Sequence, residues 1–406
     1  MQLNPKSILT LDKLVGRPLC AILSVAELLR QTISRRSDTM PRKIVFIKLI
    51  EMGSTVLACS AFEEASKMVG KKNMFILVFE QNRAIVDLLP YFERENVITI
   101  NDSNLVSFIL GLFKAMHRLR REKVDAAIDM EGLTRSSAII TYLTGARRRV
   151  GYYNFSSEGP YRGRLFTDEL AYNFQHHISR MFLALVRSLK APRDQVPKLK
   201  EYISSKDIVV AKFSPDQQEK EEILALVESR IPGARNKTLI LLNPNCSDLL
   251  PLRRWPAEKF VALGQKLIAE HADVLIVITG APGEKIEAEK IASSIAQSDR
   301  VCSLAGFTTM RQLLTLYCVS KLLVSNDSGP CHFAALTPIN IIALFGPETP
   351  LLYAPVSDKA TCITANLACS PCVNMLNHRF SPCSENKCMQ SISIEQVLDA
   401  ANKVIS

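Results

Sequence analysis

From Arg42 onward, short apolar runs rich in β-branched residues alternate with longer segments that have helical periodicity. Strands that alternate with helices predict parallel sheets covered by helices, the doubly wound α/β class. The alternation stops at residues 152–172, a stretch rich in aromatic residues, Gly and Arg, and it returns after the mixed segment 198–231. The chain is therefore predicted to contain two Rossmann-like domains, with strands at residues 43–49, 74–79, 97–100, 124–129, 148–151, 238–243, 274–279, 300–304, 321–325 and 339–345.

The chain has 406 residues, enough for two such domains of ordinary size. The boundary between them is expected near Ser214, and helices are expected, for example, at residues 55–69 and 105–121. Ligands of open parallel sheets bind at the carboxyl ends of the strands, so polar motifs that follow the strands are expected to converge. The predicted parts are an N-terminal amphipathic segment and linker at 1–41, a first domain at 42–213, a second domain at 214–392 with a cysteine-rich loop at 362–388, and a closing helix at 393–406.

One strand of the second half runs directly into a polar turn and a helix. The run 321–325 ends at Asn326-Asp327-Ser328-Gly329-Pro330, and the helical segment 331–336 follows. Such a junction presents free backbone N–H groups and the positive end of a helix dipole, which together suit a phosphate. Asp327 and His332 are placed to contact a sugar or a phosphate. The alternative interpretation is an ordinary helix N-cap made by Ser328 or Asp327.

This junction also carries a resemblance to a known family. The segment SNDSGPCHFAAL, followed by ALFGPETP, resembles the signature of glycosyltransferase family 9, the ADP-heptose:lipopolysaccharide heptosyltransferases. The resemblance implies the GT-B fold, in which two Rossmann-like domains face a cleft, and transfer of a sugar with inversion and without a metal. No Asp-x-Asp motif, which metal-dependent transferases commonly use, occurs in the chain. Further segments that resemble the family are 241–260, 276–284 and 303–314 on the donor side, and 43–58 and 124–152 on the acceptor side.

The donor-side resemblance assigns expected roles to individual residues. Arg253, with its neighbour Arg254, is expected to reach the phosphates, and Ser247 lies on the same loop. Glu284 resembles the acidic residue that binds ribose hydroxyls. Phe307 and Thr308 resemble the residues that lie against the adenine ring. The alternatives are that the two arginines are surface charges and that Glu284 only favours the first turn of a helix. The turn from Asn326 to Pro330 is expected to bring backbone N–H groups to the pyrophosphate, with Ser328 and Gly329 allowing close approach.

The first domain departs from the family at the position of the catalytic base. The family's first strand usually ends in a Gly-Asp pair whose Asp is the base, whereas this chain has Gly53-Ser54. A serine hydroxyl is not a comparable base, but Glu51 would share one face with Ser54 if a helix begins near Met52. Glu51 is therefore predicted to be the base, with Lys48 keeping it ionised or contacting an anionic acceptor. The alternative is a surface carboxylate in a protein whose activity has been lost or changed.

The eleven cysteines are scattered through apolar segments as well as clustered near the C-terminus, which is unlike a secreted disulfide framework. We therefore expect a reduced, cytoplasmic protein. Cys369, Cys372, Cys383 and Cys388 combine a Cys-x-x-Cys pair with a second pair, and this spacing predicts a structural zinc site. The alternative is a loop of reduced thiols that packs on itself. No cofactor is expected to take part in catalysis.

The net charge of +10 and the pI near 9.0 suit anionic partners such as a nucleotide diphosphate, a phosphorylated glycolipid or an anionic membrane. Nucleic acid is disfavoured, because no basic run is interleaved with aromatic residues. Residues 19–29 form a short apolar segment between Arg17 and Arg30. The segment is too short to span a bilayer, so it suits either a helix at the inner face of the inner membrane or a helix packed on the protein.

Two classes of function follow from these observations. The first is a transferase that moves heptose from ADP-heptose to a lipopolysaccharide core or another lipid-linked saccharide, with a different nucleotide sugar as a variant. The second is a nucleotide-sugar-binding protein of envelope assembly that has no transferase activity. Because the first class needs a base and the second does not, Glu51 is the residue that separates them.

Overall fold

The computed structural model describes residues 12–33, 39–132, 134–153, 161–246, 250–295, 299–377 and 380–405. These residues form two compact units. The first unit runs to Val209 and includes the short segment Met375–Asn377, and the second unit contains the other residues from Val210 onward. The change of unit lies close to the expected boundary near Ser214.

The first unit is built on a six-stranded parallel sheet with the strand order β3-β2-β1-β4-β5-β6. Its strands are β1 (Ile44–Ile47), β2 (Met74–Phe79), β3 (Val97–Ile100), β4 (Ala126–Asp129), β5 (Arg148–Tyr153) and β6 (Asp168–Ala171). A π-helical turn at Asp12–Gly16 leads into the first α-helix. The helices are α1 (Arg17–Ile33), α2 (Met52–Leu57), α3 (Cys59–Val69), α4 (Arg83–Val86), α5 (Leu105–Arg121), α6 (Arg135–Leu143) and α7 (Ile178–Arg187).

The second unit repeats this architecture, with the order β12-β11-β10-β7-β8-β9. Its strands are β7 (Thr238–Asn243), β8 (Val274–Ile278), β9 (Val301–Ser303), β10 (Leu322–Asn326), β11 (Asn340–Phe345) and β12 (Ala360–Thr364). The helices are α8 (Gln217–Glu228), α9 (Ala257–Glu270), α10 (Lys285–Ile295), α11 (Met310–Val319), α12 (Gly329–Ala334), α13 (Pro350–Tyr353), α14 (Lys387–Gln390) and α15 (Ile394–Ile405). The predicted α/β class is therefore confirmed.

The alternation of side chains along β1 explains how the first sheet is covered on both faces. Val45 and Ile47 pack in one core with residues of α5 and α6. Phe46 points to the other face, where its ring contacts those of Phe62 and Phe92 edge-to-face. Central strands that are buried on both faces read as continuous apolar runs, which is why the sequence indicated them clearly.

The sequence prediction missed one strand in each sheet. These strands, β6 and β12, occupy the last position of each sheet, and β6 lies inside the stretch 152–172 that was expected to be a loop. Edge strands bury less surface and carry polar residues, so their apolar signal is weak. The segment 55–69, which was predicted to be one helix, is instead divided between two helices, α2 and α3, which meet at Ala58. The closing helix α15 begins as expected, with Gln396 N–H donating to Ser393 Oγ at 3.1 Å.

Candidate active site

In each sheet the chain adds strands first on one side of the starting strand and then, from the fourth strand onward, on the other side. In the first unit this switch point lies between β1 and β4, and in the second it lies between β7 and β10. Open α/β sheets bind ligands at the carboxyl ends of the strands beside such a switch point. The predicted base follows β1 and the predicted phosphate-binding turn follows β10, so the strand order places both groups of residues where ligands bind.

A buried ion pair joins the ends of β1 and β4. Lys48, which is only 2 % exposed, directly follows β1, and its Nζ lies 3.2 Å from Oε1 of Glu131. The same ammonium donates to the carbonyl of Ile50 at 2.5 Å, and the Ile50 N–H donates to Glu131 Oε1 at 3.0 Å. Glu131 therefore fastens the loop between β1 and α2. The sequence analysis missed Glu131, although an acidic residue just after a strand that neighbours β1 was the signal available.

Glu51 lies at the end of that loop, immediately before α2. Its backbone has φ 66° and ψ 87°, a left-handed conformation that non-glycine residues rarely adopt. The Glu51 carbonyl accepts a hydrogen bond from the Thr55 N–H at 3.1 Å, and α2 begins at Met52 as expected. The side chains of Glu51 and Ser54 are both half-buried. Sparsely populated backbone conformations cluster at functional sites, and this observation supports a functional role for Glu51. Its role as the base stays a prediction.

A second buried carboxylate, Asp129, ends β4. It forms an ion pair with Arg162 and accepts a hydrogen bond from Ser137 Oγ at 2.9 Å. Burial raises the pKa of Asp129, although the Arg162 guanidinium acts in the opposite direction. Arg162 also donates to the carbonyls of Thr134 and Tyr152, both at 2.8 Å. Arg162 thus holds part of the 152–172 stretch against the end of β4.

In the second unit, Asn326 links the loops that follow β7 and β10. Its amide donates to the carbonyl of Pro244 at 2.8 Å, and its Oδ1 accepts a hydrogen bond from the Trp255 N–H at 2.9 Å. The indole of Trp255 is buried and donates to the carbonyl of Ile392 at 3.0 Å, so Trp255 is a core residue. Asn326 is a fully buried cross-link, and it positions the segment that carries Arg253 and Arg254.

The turn after β10 is not an ordinary side-chain cap. Ser328 is the N-cap residue of α12, yet its side chain makes no capping hydrogen bond and instead donates to the carbonyl of Asn326 at 3.2 Å. The Asp327 N–H donates to the carbonyl of Leu344. Pro330 has no N–H, so it contributes only its fixed φ to the first turn of the helix. Ser328 and Gly329 are left as the candidate backbone donors to a phosphate in this turn.

Two buried carboxylates and one arginine form the charged part of this site. Asp327 Oδ2 lies 3.9 Å from Arg253 Nη1, and both Asp327 and Glu348 are almost fully buried. Burial raises the pKa of both acids, and the negative charge of Asp327 adds to the effect on Glu348, whose pKa is raised to about 8 despite Arg253. Burial and the Asp327 charge therefore both favour the neutral form of Glu348. The sequence analysis missed Glu348 even though it lies within the segment ALFGPETP, because its burial is not visible in the sequence.

Asn245 is a further residue of this site that the sequence analysis missed. It is 2 % exposed, and its Nδ2 has no hydrogen-bond partner within the described residues. The Nε atom of Arg253 is also buried and also has no hydrogen-bond partner within the described residues. Buried polar groups are almost always paired in folded proteins, so these two atoms are candidates for contact with a polar ligand. The Nη2 atom of Arg254 donates to the carbonyl of Cys246 at 3.2 Å. Ser247 lies outside the described residues.

The loops that carry Glu284 and Phe307 lie against each other. Gly306 has φ 75°, and a Cβ on it would lie 3.0 Å from Cα of Pro282. Glu284 Oε2 accepts a hydrogen bond from the Ala281 N–H at 2.6 Å, which is the helix-start role considered as the alternative. Lys285 Nζ and the guanidinium carbon of Arg230 lie 4.4 and 4.2 Å from the centroid of the Phe307 ring. Thr308 is half-buried. Contact of these residues with a nucleoside stays a prediction.

Potential metal ligands come together at one place in the described part of the chain. Ligand atoms of Asp327, Cys331 and His332 lie within 4.8 Å of one another, and all three residues are buried. Burial and the nearby Asp327 carboxylate raise the pKa of the Cys331 thiol. The predicted zinc ligands Cys369, Cys372, Cys383 and Cys388 do not form such a group among the described residues, and zinc binding by them stays a prediction.

The chain is similar to a known family of glycosyltransferases and to individual members of it. Residues 112–380 match the family described as Glycosyltransferase family 9 (heptosyltransferase). The chain is 26% identical over 333 residues to lipooligosaccharide heptosyltransferase 2 of Haemophilus ducreyi, an alignment that covers 79% of this chain and 88% of that protein. It is 30% identical over 161 residues to lipopolysaccharide heptosyltransferase 2 of Salmonella typhimurium, which covers 39% of this chain and 46% of that protein.

Solved structures share the fold at lower identity. The ADP-heptose lps heptosyltransferase II of E. coli superposes with a TM-score of 0.67 at 20% identity, covering 89% of this chain and 98% of that one. A glycosyl transferase family 9 protein from Veillonella parvula superposes with a TM-score of 0.68 at 18% identity, covering 91% and 99%. At these identities the superpositions establish the architecture, which is GT-B as the resemblance implied.

Proposed function

Because the chain belongs to glycosyltransferase family 9, we propose that it transfers heptose from ADP-heptose to a lipopolysaccharide core. The observation that carries the proposal is the site at the carboxyl ends of β7 and β10. There Arg253 lies beside Asp327, and the Nδ2 atom of the buried Asn245 has no partner within the described residues. A cation and open hydrogen-bond donors at a switch point match the needs of a nucleotide diphosphate that leaves during transfer.

Arg253 is proposed to stabilise the charge that develops on the departing diphosphate. The Asn326 cross-link holds the Arg253 segment in place, so the guanidinium needs little reorganisation during the reaction. Neutral Glu348 would add no repulsion toward the phosphates near pH 7. We propose that these protein groups replace a metal ion in catalysis. Full activity in the presence of a strong chelator is the expected result, and a requirement for added Mg²⁺ or Mn²⁺ would contradict it.

Glu51 is proposed to take the proton from the acceptor hydroxyl, followed by inversion at the anomeric carbon. Support comes from its place after β1, its half-buried carboxylate and the left-handed backbone that the loop imposes. A base positioned at the reacting hydroxyl contributes about 100-fold to 10,000-fold to the rate. The serine at position 54 is the observation that favours the second candidate, a protein that binds the nucleotide sugar without transferring it.

The deciding experiment combines calorimetry with a transfer assay. Purified protein is titrated with ADP-heptose, UDP-glucose, GDP-mannose and the free nucleotides, and transfer to a heptose-deficient lipopolysaccharide core is followed by mass spectrometry. Selective binding of ADP-heptose together with a heptose-sized mass increase is the expected outcome. Binding without transfer would favour the second candidate, and preference for another nucleotide sugar would change the donor. A folded protein that binds none of these ligands would overturn the proposal.

The four C-terminal cysteines are proposed to hold one structural zinc ion. Cys388 is buried, and its segment supports the Arg253 loop, because Asn386 donates to the carbonyl of Arg254 at 3.1 Å. Metal analysis of protein purified without chelators should find about one zinc per chain. Cys372→Ser should lose the zinc, whereas the matched variant Cys302→Ser, at a cysteine far away in the sequence, should retain it. Equal zinc content in the two variants would refute this assignment.

We also propose that the protein works at the cytoplasmic face of the inner membrane, with α1 in contact with the lipid. The inward side of α1 is mixed: Cys20 is buried with apolar residues of α6, Glu27 pairs with Arg149 at 2.7 Å, and Ser24 accepts a hydrogen bond from the Arg164 N–H. Its outward side exposes Ile22, Val25 and Leu29. A helix that only packed on the protein would carry polar residues on its outward side, so these exposed apolar residues suit a helix in the membrane interface. Among the described residues, no helix is long and apolar enough to cross a membrane.

A further inference from the structure

Helix α5 of the first unit exposes a contiguous apolar surface. Its five members, here called the α5 patch, are exposed by 54% to 76%, and they are Leu105, Val106, Ile109, Leu110 and Phe113. Their spacing of i, i+1, i+4, i+5 and i+8 puts them on one side of the first two turns of the helix. Single exposed apolar residues are ordinary, whereas five adjoining ones mark an interaction surface.

The patch is not the side by which α5 packs on the sheet. Ala115, Met116 and Leu119 are buried in the core with residues of β1, β2 and β3. Phe108 and Leu112 of the first half pack against the same core. The first half of α5 is therefore apolar toward the core and also apolar toward solvent. A helix that needed only to cover the sheet would carry polar residues on its outer side.

The second half of α5 supplies positive charge next to the patch. Lys114, His117, Arg120 and Arg121 are exposed there. The nearest acidic residue in sequence, Glu122, is already paired with Lys43 at 2.8 Å. An apolar surface that adjoins a cluster of basic side chains is complementary to the edge of an anionic lipid bilayer, where acyl chains lie below negatively charged headgroups.

The position of α1 indicates that the partner of the α5 patch is an extended surface. Residues of α5 and α6 share one core on one face of the sheet, and α1 packs on α6 through Cys20, Ala138 and Ile139. The apolar side of α1 and the α5 patch therefore belong to the same covered face of the sheet. Two separate apolar surfaces on one face fit an extended membrane better than a single peptide or helix.

We propose that the α5 patch and the basic residues that follow it dock the first unit on an anionic membrane surface. Because α5 follows β3, its first turns lie at the carboxyl ends of the strands, the edge that also carries Glu51. Docking through the first half of α5 brings the lipid surface toward the edge of the sheet that carries Glu51, the proposed base. The inference goes beyond the proposed function, which places α1 in contact with lipid but assigns no role to α5.

The test is flotation of the full chain with vesicles of phosphatidylethanolamine and phosphatidylglycerol, and with vesicles of phosphatidylcholine alone. The double variant Ile109→Ser/Phe113→Ser should bind the anionic vesicles at least about tenfold more weakly, because two large apolar side chains are lost. Ile286→Ser is the matched control, since Ile286 is 84% exposed on α10 of the second unit. That control should bind like the wild type.

The charge contribution is tested separately with Lys114→Gln/Arg121→Gln. Each basic residue near an anionic surface is worth about fivefold, so the pair should weaken binding to anionic vesicles by about 25-fold and leave phosphatidylcholine binding unchanged. Circular dichroism and calorimetry with ADP confirm that each variant is folded. ADP binding and transfer to a water-soluble acceptor fragment report on the proposed function independently of the vesicles.

Three results would overturn the inference. The first is equal vesicle binding by Ile109→Ser/Phe113→Ser and the wild type. The second is binding of the wild type that does not depend on anionic lipid. The third is a lipid-independent dimer that the double variant dissociates, because it would show that the patch is covered by a second copy of the chain.

Discussion

The switch points of the two units differ in how their buried carboxylates are compensated. In the first unit each carboxylate has its own cation, since Glu131 pairs with Lys48 and Asp129 with Arg162. In the second unit Asp327 and Glu348 lie near one arginine, and the closest Asp327–Arg253 contact is 3.9 Å. The same strand order thus supports two electrostatic designs. The first holds a loop rigid, and the second leaves charge and hydrogen-bonding capacity for a ligand.

The largest expected effect is that of Glu51→Gln in the first unit. The amide keeps the size of the side chain but cannot accept the proton, so kcat should fall by at least about 100-fold while affinity for ADP-heptose stays unchanged. Single-turnover transfer and calorimetry measure the two quantities. Glu80→Gln, which changes another glutamate of the same unit just after β2, is the matched control and should keep full activity. Equal rates for Glu51→Gln and the wild type would remove Glu51 from the mechanism.

Arg253→Gln tests the corresponding claim for the second unit. Loss of a preorganised cation at a developing charge typically lowers kcat by about 100-fold, and affinity for ADP should fall as well because the phosphates lose their partner. Arg254→Gln is the matched control, and it should lose less because the Arg254 side chain already donates to a protein carbonyl. If the two variants were reversed in severity, Arg254 would be the phosphate ligand instead.

Glu131→Gln tests whether the first switch point is rigid because of its ion pair. The variant leaves the Lys48 ammonium buried without its counter-charge, which should lower the free energy of unfolding by about 3 kcal/mol. We expect a loss of kcat of about tenfold, since the loop that carries Glu51 loses a fixed anchor. Adding Lys48→Met should recover most of the stability without restoring the rate. If the double variant is as unstable as Glu131→Gln, the pair is not the cause.

The contrast between the two sites also explains what the sequence could predict. The turn from Asn326 to Pro330 is contiguous and follows an apolar run, so local pattern alone identified it. The anchor of the first site joins Lys48 to Glu131, which are 83 positions apart and meet only because β1 pairs with β4. No local signal encodes that pairing. Glu348 was visible in a motif, but its shifted pKa depends on burial, and the edge strands β6 and β12 were missed because they carry little apolar surface.

The smallest expected effect concerns the pH dependence of the second site. The pKa of Glu348 is raised to about 8, so this acid is neutral below that pH and becomes charged above it. Ionised Glu348 would repel a diphosphate, and affinity for ADP should therefore fall about fivefold between about pH 7 and about pH 9. Glu348→Gln cannot ionise, so its affinity should stay level over the same range, as calorimetry at each pH would show.

The stability of the protein should respond to the same group with a definite sign. A folded-state pKa above the unfolded value means that the folded protein binds the proton more tightly, so stability is lost as pH rises from the unfolded pKa of Glu to about 8. Glu348→Gln should therefore raise Tm relative to the wild type at alkaline pH and much less at acidic pH. A difference in Tm that stays the same at every pH would mean that Glu348 acts by packing, and the electrostatic contrast between the two switch points would then rest on Asp327 alone.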